Sequence, residues 1–257
     1  MSEPCILLDR SRPGILSLTL NRPDKRNALN VALLQKFTDQ MRAANNDPAL
    51  RAIVIRGAGP IFCAGLDLQE AREESLVHRS GELIAEMLRV VYFSPKVTIA
   101  AVRGAAIAGG AGLMSACDLA VATVDTRIGY PEVRIGLVAG LVMTFLRRQV
   151  PERQARELLL LGETISAERA QEIGLVSRAV PEDLLEDTVD MVVDCVLKGA
   201  PGAIAKSKEM LDSMWRPSVE EDLERTLSLH REMRKTPEAL EGFAAFKEKR
   251  CPNWHPG

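Results

Sequence analysis

Residues 99–141, IAAVRGAAIAGGAGLMSACDLAVATVDTRIGYPEVRIGLVAGL, constrain this chain more than any other stretch. They open with a continuous apolar run, the pattern of a strand covered on both faces. A turn of small residues, Ala108-Gly109-Gly110, then starts a helix. A second strand follows, and Pro131-Glu132 leads into another apolar segment. This alternation predicts an α/β fold with mainly parallel pairing. A helix start presents backbone N–H groups that lack intrahelical partners, so it can hold a developing negative charge. A carboxylate among apolar neighbours, as Glu132 is among Val133, Ile135, Leu137 and Val138, is a candidate proton-transfer base. Two simpler readings stay open at this level. The small residues also suit close helix–strand packing, and a Glu in the first turn of a helix is favoured by the helix dipole.

The flanking sequence fits the same architecture. Residues 5–10 and 14–22 read as strands around a Ser-Arg-Pro-Gly turn. Asn30 can cap a helix whose apolar stripe is Leu33, Leu34, Phe37 and Met41. RAIVIRGAG reads as a strand, PIFCAGLDLQEA as a turn into a short helix, and residues 73–92 as a longer helix. Beyond Gly136 the pattern is mostly helical, with helices expected at 152–161, 167–173, 184–197, 204–215, 219–233 and 237–249. Ala200-Pro201-Gly202 marks the expected boundary between a core at 1–199 and a helical region at 200–257.

Composition narrows the function. A net charge of −2 over 257 residues leaves no basic footprint for nucleic acid, and 4% aromatic residues supply few stacking platforms. The five cysteines include no C-x-x-C pair, which favours reduced thiols. The three histidines lack zinc-like spacing with cysteine, so no metal is expected. The first residues show no basic and apolar leader, and no uncharged run reaches a membrane span. The expectation is a cytoplasmic protein without nucleic-acid or membrane partners.

Six elements carry a resemblance: LNRPDKRNAL, FCAGLDL, AAVRGAAIAGGAGLMSACDLAVAT, IGYPEVRIGL, LLLGETISAERAQEIGLVSRAV and GFAAFKEKR. Their order and spacing resemble the crotonase superfamily, also called the enoyl-CoA hydratase/isomerase family. The resemblance implies a spiral of ββα units with a C-terminal helical trimerisation region. It also implies homotrimers or homohexamers and acyl-CoA substrates. Coenzyme A is then part of the substrate, and no separate cofactor is expected. By resemblance, the amides of Leu66 and Gly109 grip the thioester oxygen and Glu132 moves the proton. Two prearranged donors stabilise an enolate more than a neutral carbonyl. The same resemblance implies substrate contacts from Lys25, Arg26, Ala28, Ala64, Gly65, Asp67, Gly110, Gly112, Tyr130, Pro131, Lys247 and Lys249. Lys and Arg among them would meet the phosphates of coenzyme A.

One position departs from the two-carboxylate hydratases, which carry a Glu three residues after the oxyanion glycine. Here that residue is Gly112. Hydration holds one water between two carboxylates, whereas moving a double bond from β,γ to α,β needs a single base. Isomerisation of 3-enoyl-CoA to 2-enoyl-CoA is therefore the first reading, and FCAGLDL resembles the isomerase form of its element. Hydration with a nonstandard second acid is the alternative. A noncatalytic acyl-CoA-binding protein is the alternative of another class. Gly140 stands near where dienoyl-CoA isomerases and 4-chlorobenzoyl-CoA dehalogenases place an Asp, which argues against both. Glu82 and Glu86, four apart on one helix, are candidates for a replacement acid, although solvated carboxylates are the simpler reading. His78 has the same standing, and Cys63 and Cys117 read as small buried hydrophobes.

Overall fold

The computed structural model describes residues 4–67, 70, 74–215 and 217–255. Strands β1 (Ile6–Asp9) and β2 (Ile15–Leu20) pair antiparallel. From β2 onward the chain repeats one motif: a long strand, a short second strand or bridge, and a helix. β2 leads through residues 22–29 to α1 (Val31–Asn46), and β3 (Ala52–Gly57) leads through residues 61–66 to α2 (Glu74–Tyr92). β4 (Val97–Val102) continues into β5 (Ala105–Ile107) and α3 (Gly109–Ala116). β6 (Leu119–Thr123) continues into β7 (Arg127–Gly129) and a 3-10 helix, Pro131–Ile135.

The long strands, with β9 (Arg178–Val180) at the edge, make one sheet in the order β1-β2-β3-β4-β6-β9, parallel from β2 onward. The short segments stack in a second layer. Leu29 bridges Leu66, Cys63 bridges Ala106, and Ala105 pairs with Arg127. Strand β8 (Thr164–Ser166) closes that layer against β7. The result is a spiral of ββα turns.

Burial explains the apolar strands. Every residue of β4 is buried because both sheet faces are covered. Along β3, Ile53 and Ile55 enter the core with Leu34, Phe37 and Leu88. The alternate residues Ala52 and Val54 pack beneath Val189 and Val193 of α7 (Leu185–Lys198). In α1 the side chain of Asn30 accepts the Leu33 N–H at 3.0 Å, and Leu33, Leu34, Phe37 and Met41 are buried, as the stripe predicts.

The remaining helices are α4 (Gly140–Gln149), α5 (Glu152–Leu161), α6 (Ala167–Glu172), α8 (Pro201–Ser213), α9 (Val219–Met233) and α10 (Pro237–Glu248). α8 starts three residues before the expected 204 because Pro201 sits in its first turn, where a missing N–H costs nothing. The three-residue strands β5, β7 and β8 are too short to leave a periodic signal, so the sequence does not announce them. The short helix expected after PIFCAGLDLQEA lies largely outside the described residues. α9 and α10 fold back onto the spiral. α9 packs on α2 and α4, and Arg148 of α4 pairs with the buried Asp222 of α9 at 3.0 Å. α10 packs on the 3-10 helix. Among the described residues, no helix is long and apolar enough to cross a membrane.

Candidate active site

The second layer fixes two backbone amides side by side. Residues 63–67 are held between two neighbouring segments. Cys63 N–H donates to Ala105 O (3.1 Å) and Ile107 N–H to Cys63 O (3.0 Å). On the other side, Leu29 N–H donates to Gly65 O (2.8 Å) and Asp67 N–H to Leu29 O (3.0 Å). Leu66 lies between these bonds, and its own N–H has no acceptor among the described residues. Gly109 is the first residue of α3, and its N–H is likewise free there. The two groups are neighbours: a Cβ built on Gly109 would stand 3.8 Å from Leu66 N.

This closeness demands small residues. A Cβ on Gly110 would collide with the Cys63 carbonyl oxygen and lie 2.8 Å from Cys63 Cβ, so only glycine lets α3 seat against this segment. Ala108, just before α3, adopts φ 51° and ψ −118°, a conformation that costs an alanine about 1–3 kcal/mol. It is held there by its N–H bond to Gly129 O at 2.9 Å. The strained residue thus stands next to two unpaired amides, the kind of fixed donors that a preorganised anion site uses.

Glu132 stands in the first turn of the 3-10 helix, directly after Pro131. Its Oε2 is sealed from bulk solvent and has no hydrogen-bond partner among the described residues. Burial drives its pKa from an ordinary 4.5 up to about 7, only partly offset by a hydrogen bond from its own backbone N–H. A carboxyl poised there can take and return a proton near neutral pH.

A cavity of about 360 Å³ joins these parts: Ala64, Leu66, Gly109, Pro131 and Glu132 all line it. Its remaining wall is mostly apolar, built from Ile84 of α2, residues 137–142, and Phe246 of α10. Among the described residues, Glu132 is the only carboxylate in that wall.

The other predicted positions divide. Lys25, Arg26 and Ala28 belong to the loop whose Arg26 carbonyl accepts the Ala64 N–H at 3.0 Å, so they flank the cavity without lining it. Lys25 and Arg26 are exposed. Gly65 is the tight turn before Leu66, at φ 86°. Lys247 and Lys249 are exposed at the end of α10, beside Phe246. Asp67, Tyr130 and Gly110 are absent from the wall as well, because each is engaged elsewhere. Asp67 is buried and pairs with Arg22 at 3.0 Å. Tyr130 is fully buried, its hydroxyl bonded to Ser115 Oγ at 2.7 Å, and burial raises its pKa well above the usual phenol value. Gly110 faces Cys63.

Gly112 is also off the wall, and the reason is informative. A Cβ there would collide with Val142 Cγ1 and lie 2.9 Å from Val142 Cβ. The space a side chain at 112 would need is filled by a cavity-lining valine of α4. The candidate replacement acids are also engaged elsewhere. Glu86 pairs with Arg42 and Arg89, at 2.7 and 2.9 Å, and Glu82 pairs with Arg231. Neither lines the cavity. The side chain of His78 lies outside the described residues. Cys63 and Cys117 are buried thiols whose pKa values burial pushes up, to about 12 for Cys63.

Sequence reasoning missed Val142, His230 and Phe246 as wall residues. Each sits on an ordinary amphipathic helix far along the chain, and helical periodicity reports burial without saying what a residue is buried against. It also missed Asn27, which is buried at φ 54° and donates to Ala58 O (2.9 Å) and Ile61 O (2.7 Å), holding the 22–29 loop in place.

Comparison with known proteins bears on the family and the fold. The family model described as Enoyl-CoA hydratase/isomerase matches residues 10–256. A 2,3-dehydroadipyl-CoA hydratase of Escherichia coli (strain K12) is 34% identical over 255 residues, 99% of each chain. The crystal structure of an enoyl-CoA hydratase from Mycobacterium avium subsp. paratuberculosis K-10 superposes with a TM-score of 0.88 at 28% identity, covering 98% of this chain and 99% of that one. An enoyl-CoA hydratase/isomerase from Xanthobacter autotrophicus Py2 gives 0.87 at 30% identity, over 96% and 94%. The chain belongs to the enoyl-CoA hydratase/isomerase family and has its crotonase fold.

Proposed function

We propose that this enzyme isomerises 3-enoyl-CoA thioesters to 2-enoyl-CoA through a dienolate. In this reading, Leu66 N–H and Gly109 N–H donate to the thioester oxygen as it gains negative charge. Glu132 takes the α proton and returns it at the γ carbon. The base acts alone and regenerates itself, so one carboxylate suffices. The observation that carries the reading is the pairing of Gly112 with Val142: the position of a second carboxylate is closed by a packed apolar side chain. Exposed Lys25 and Arg26, on the loop bonded to Ala64, and Lys247 and Lys249, just after Phe246 in the chain, supply positive charge suited to the phosphates of coenzyme A.

Hydration is the second reading, favoured by the hydratase names of several relatives, among them the Escherichia coli protein. It requires water to be positioned by Glu132 and a group other than residue 112. Purified protein given a 3-enoyl-CoA and, separately, a 2-enoyl-CoA separates the two. Faster double-bond migration than hydration supports isomerisation, and the reverse ratio overturns it. Exchange of the α proton in deuterated water detects enolisation in either case, and its absence from every thioester tested would leave a binding protein only. We further propose assembly into trimers or hexamers, supported by the exposed Leu160, Leu161, Met210, Leu211 and Met214. Light scattering at one chain mass would overturn that.

A further inference from the structure

Two glycines meet where α10 lies on the 3-10 helix that carries Glu132. On α10, a Cβ at Gly242 would collide with the Ile135 carbonyl oxygen and stand 2.7 Å from Ile135 Cα. At the end of the 3-10 helix, a Cβ on Gly136 would stand 2.5 Å from Glu238 O and 2.8 Å from Ala239 N. The two backbones are in direct contact, an approach that a side chain would block. Beside this seat, Ala239 and Phe243 of α10 form a small apolar cluster with Leu137, and Ile135 packs against it. Ile135 and Leu137 also line the cavity. Leu137 N–H donates to the Glu132 carbonyl at 3.0 Å, so the cluster that α10 completes is bonded to the backbone of the base. Among the described residues, α10 places no buried side chain in the main core, which makes this contact its principal seat.

Burial is the main influence on the Glu132 carboxyl, and the charges around it are engaged or face solvent. On its own element, Arg134 pairs with Glu163 at 3.6 Å. On α10, Glu238, Lys247 and Glu248 are exposed, and Glu241 pairs with Arg250 at 2.6 Å. On α5, Glu152, Arg153, Arg156 and Glu157 are exposed. On α9, burial, then Arg234 and Arg231, lower the His230 pKa to about 4, so that ring is neutral at pH 7. Tyr130 keeps its proton, because burial raises its pKa.

We propose that Gly242 is a positioning residue for Glu132: it lets α10 press on the 3-10 helix, and that contact keeps the Glu132 carboxyl shielded inside the cavity. The inference rests on the proposed role of Glu132 as the base, but the seat acts through backbone contact and needs no substrate. With α10 lifted, water reaches the carboxyl and its proton affinity falls toward that of a free side chain.

Melting temperatures of the wild type, Glu132→Gln, Gly242→Ala and the double variant, compared between pH 4 and pH 8, test the seat. With Gly242 in place, Glu132→Gln should raise the melting temperature more at pH 8 than at pH 4, because burial disfavours the charged carboxyl. In the Gly242→Ala background that pH-dependent gain should shrink to less than about half. Exchange of the α proton of 3-hexenoyl-CoA in deuterated water supplies a second readout. In Gly242→Ala its plateau should fall about tenfold, and its midpoint should drop from about 7 by about one pH unit or more. Val193→Ala, in the cluster on the far face of the sheet, should lower the melting temperature and move neither the gain nor the midpoint. An undiminished gain in folded Gly242→Ala, or an equal loss in Val193→Ala, overturns the proposal. If Gly242→Ala does not fold, Phe243→Leu, which thins the same contact without placing an atom against Ile135, is read in the same way. The melting arm uses no ligand, so a wild type that exchanges no thioester would overturn the enolising reaction while melting still decides the seat.

Discussion

The two ends of the cavity are built in different ways. The end that holds Leu66 and Gly109 is backbone, pinned by hydrogen bonds between adjacent turns of the spiral, with a strained alanine and close-packed glycines. The end formed by Ile84, Val142, His230 and Phe246 is side chain, contributed by four helices distant in sequence. Backbone donors are indifferent to residue identity once the turn is set, so the first end can serve any thioester. The second end changes with each substitution, so it can choose among acyl groups without disturbing the chemistry. Glu132 belongs to both. It lies three residues past the end of β7, yet α10 covers the 3-10 helix that carries it.

The largest effect that would sharpen this comparison is Glu132→Gln. Loss of the only carboxylate that the described residues place in the wall should lower α-proton exchange by about 10²–10⁴-fold. In the wild type, exchange should rise with pH through about 7, because the base acts as carboxylate. Equal exchange in the variant would break the assignment.

The same residue should carry a stability signature. The native pKa of about 7 lies above the ordinary 4.5, so the folded state binds the proton more tightly than the unfolded state. Native stability from this group therefore falls as pH rises from about 4.5 to 7, by at most about 3 kcal/mol. Glu132→Gln should raise the melting temperature relative to wild type more at pH 8 than at pH 4. A gain independent of pH would contradict burial of the charge.

Gly112→Glu probes the closed position. Alone it forces a Cβ into Val142 and should destabilise by about 1–3 kcal/mol, read as a lowered denaturation midpoint. Combined with Val142→Ala it should recover part of that loss and hydrate a 2-enoyl-CoA at least about tenfold faster than wild type. No gain in the folded double variant would show that a second carboxylate is not what limits hydration here. The smallest effect is expected at the exposed Glu82–Arg231 pair. Glu82→Ala should change stability by less than about 1 kcal/mol and leave exchange unaltered.

Part of the first end is legible in the sequence, where its determinants are local; the bonds that seat it, such as Cys63 N–H to Ala105 O, join distant segments and are not. Ala108-Gly109-Gly110 predicts a strand-to-helix turn, and Pro131-Glu132 among apolar residues predicts a shielded carboxyl. Both features are there, and the six motifs in order carry the family. The expected roles for Asp67 and Tyr130 fail for a shared reason. Each lies beside the site in the chain, but its side chain points into another network, to Arg22 in one case and Ser115 in the other. Adjacency in sequence fixes where the backbone goes and leaves side-chain direction to packing.

By itself, the chain's order of strands and small residues determined an α/β fold with mainly parallel pairing, a helix start with free amides and one shielded glutamate; the spiral came from the resemblance that the six motifs carry. Only the folded molecule decided that Val142 fills the space beside Gly112, that Glu82 and Glu86 are bound to arginines, and that His230 reaches the cavity from α9. A run of small residues at a helix start and a Pro-Glu pair are local signals and can be read residue by residue. Which side chains meet across a cavity depends on how remote helices pack, and that is settled only when the whole core is assembled.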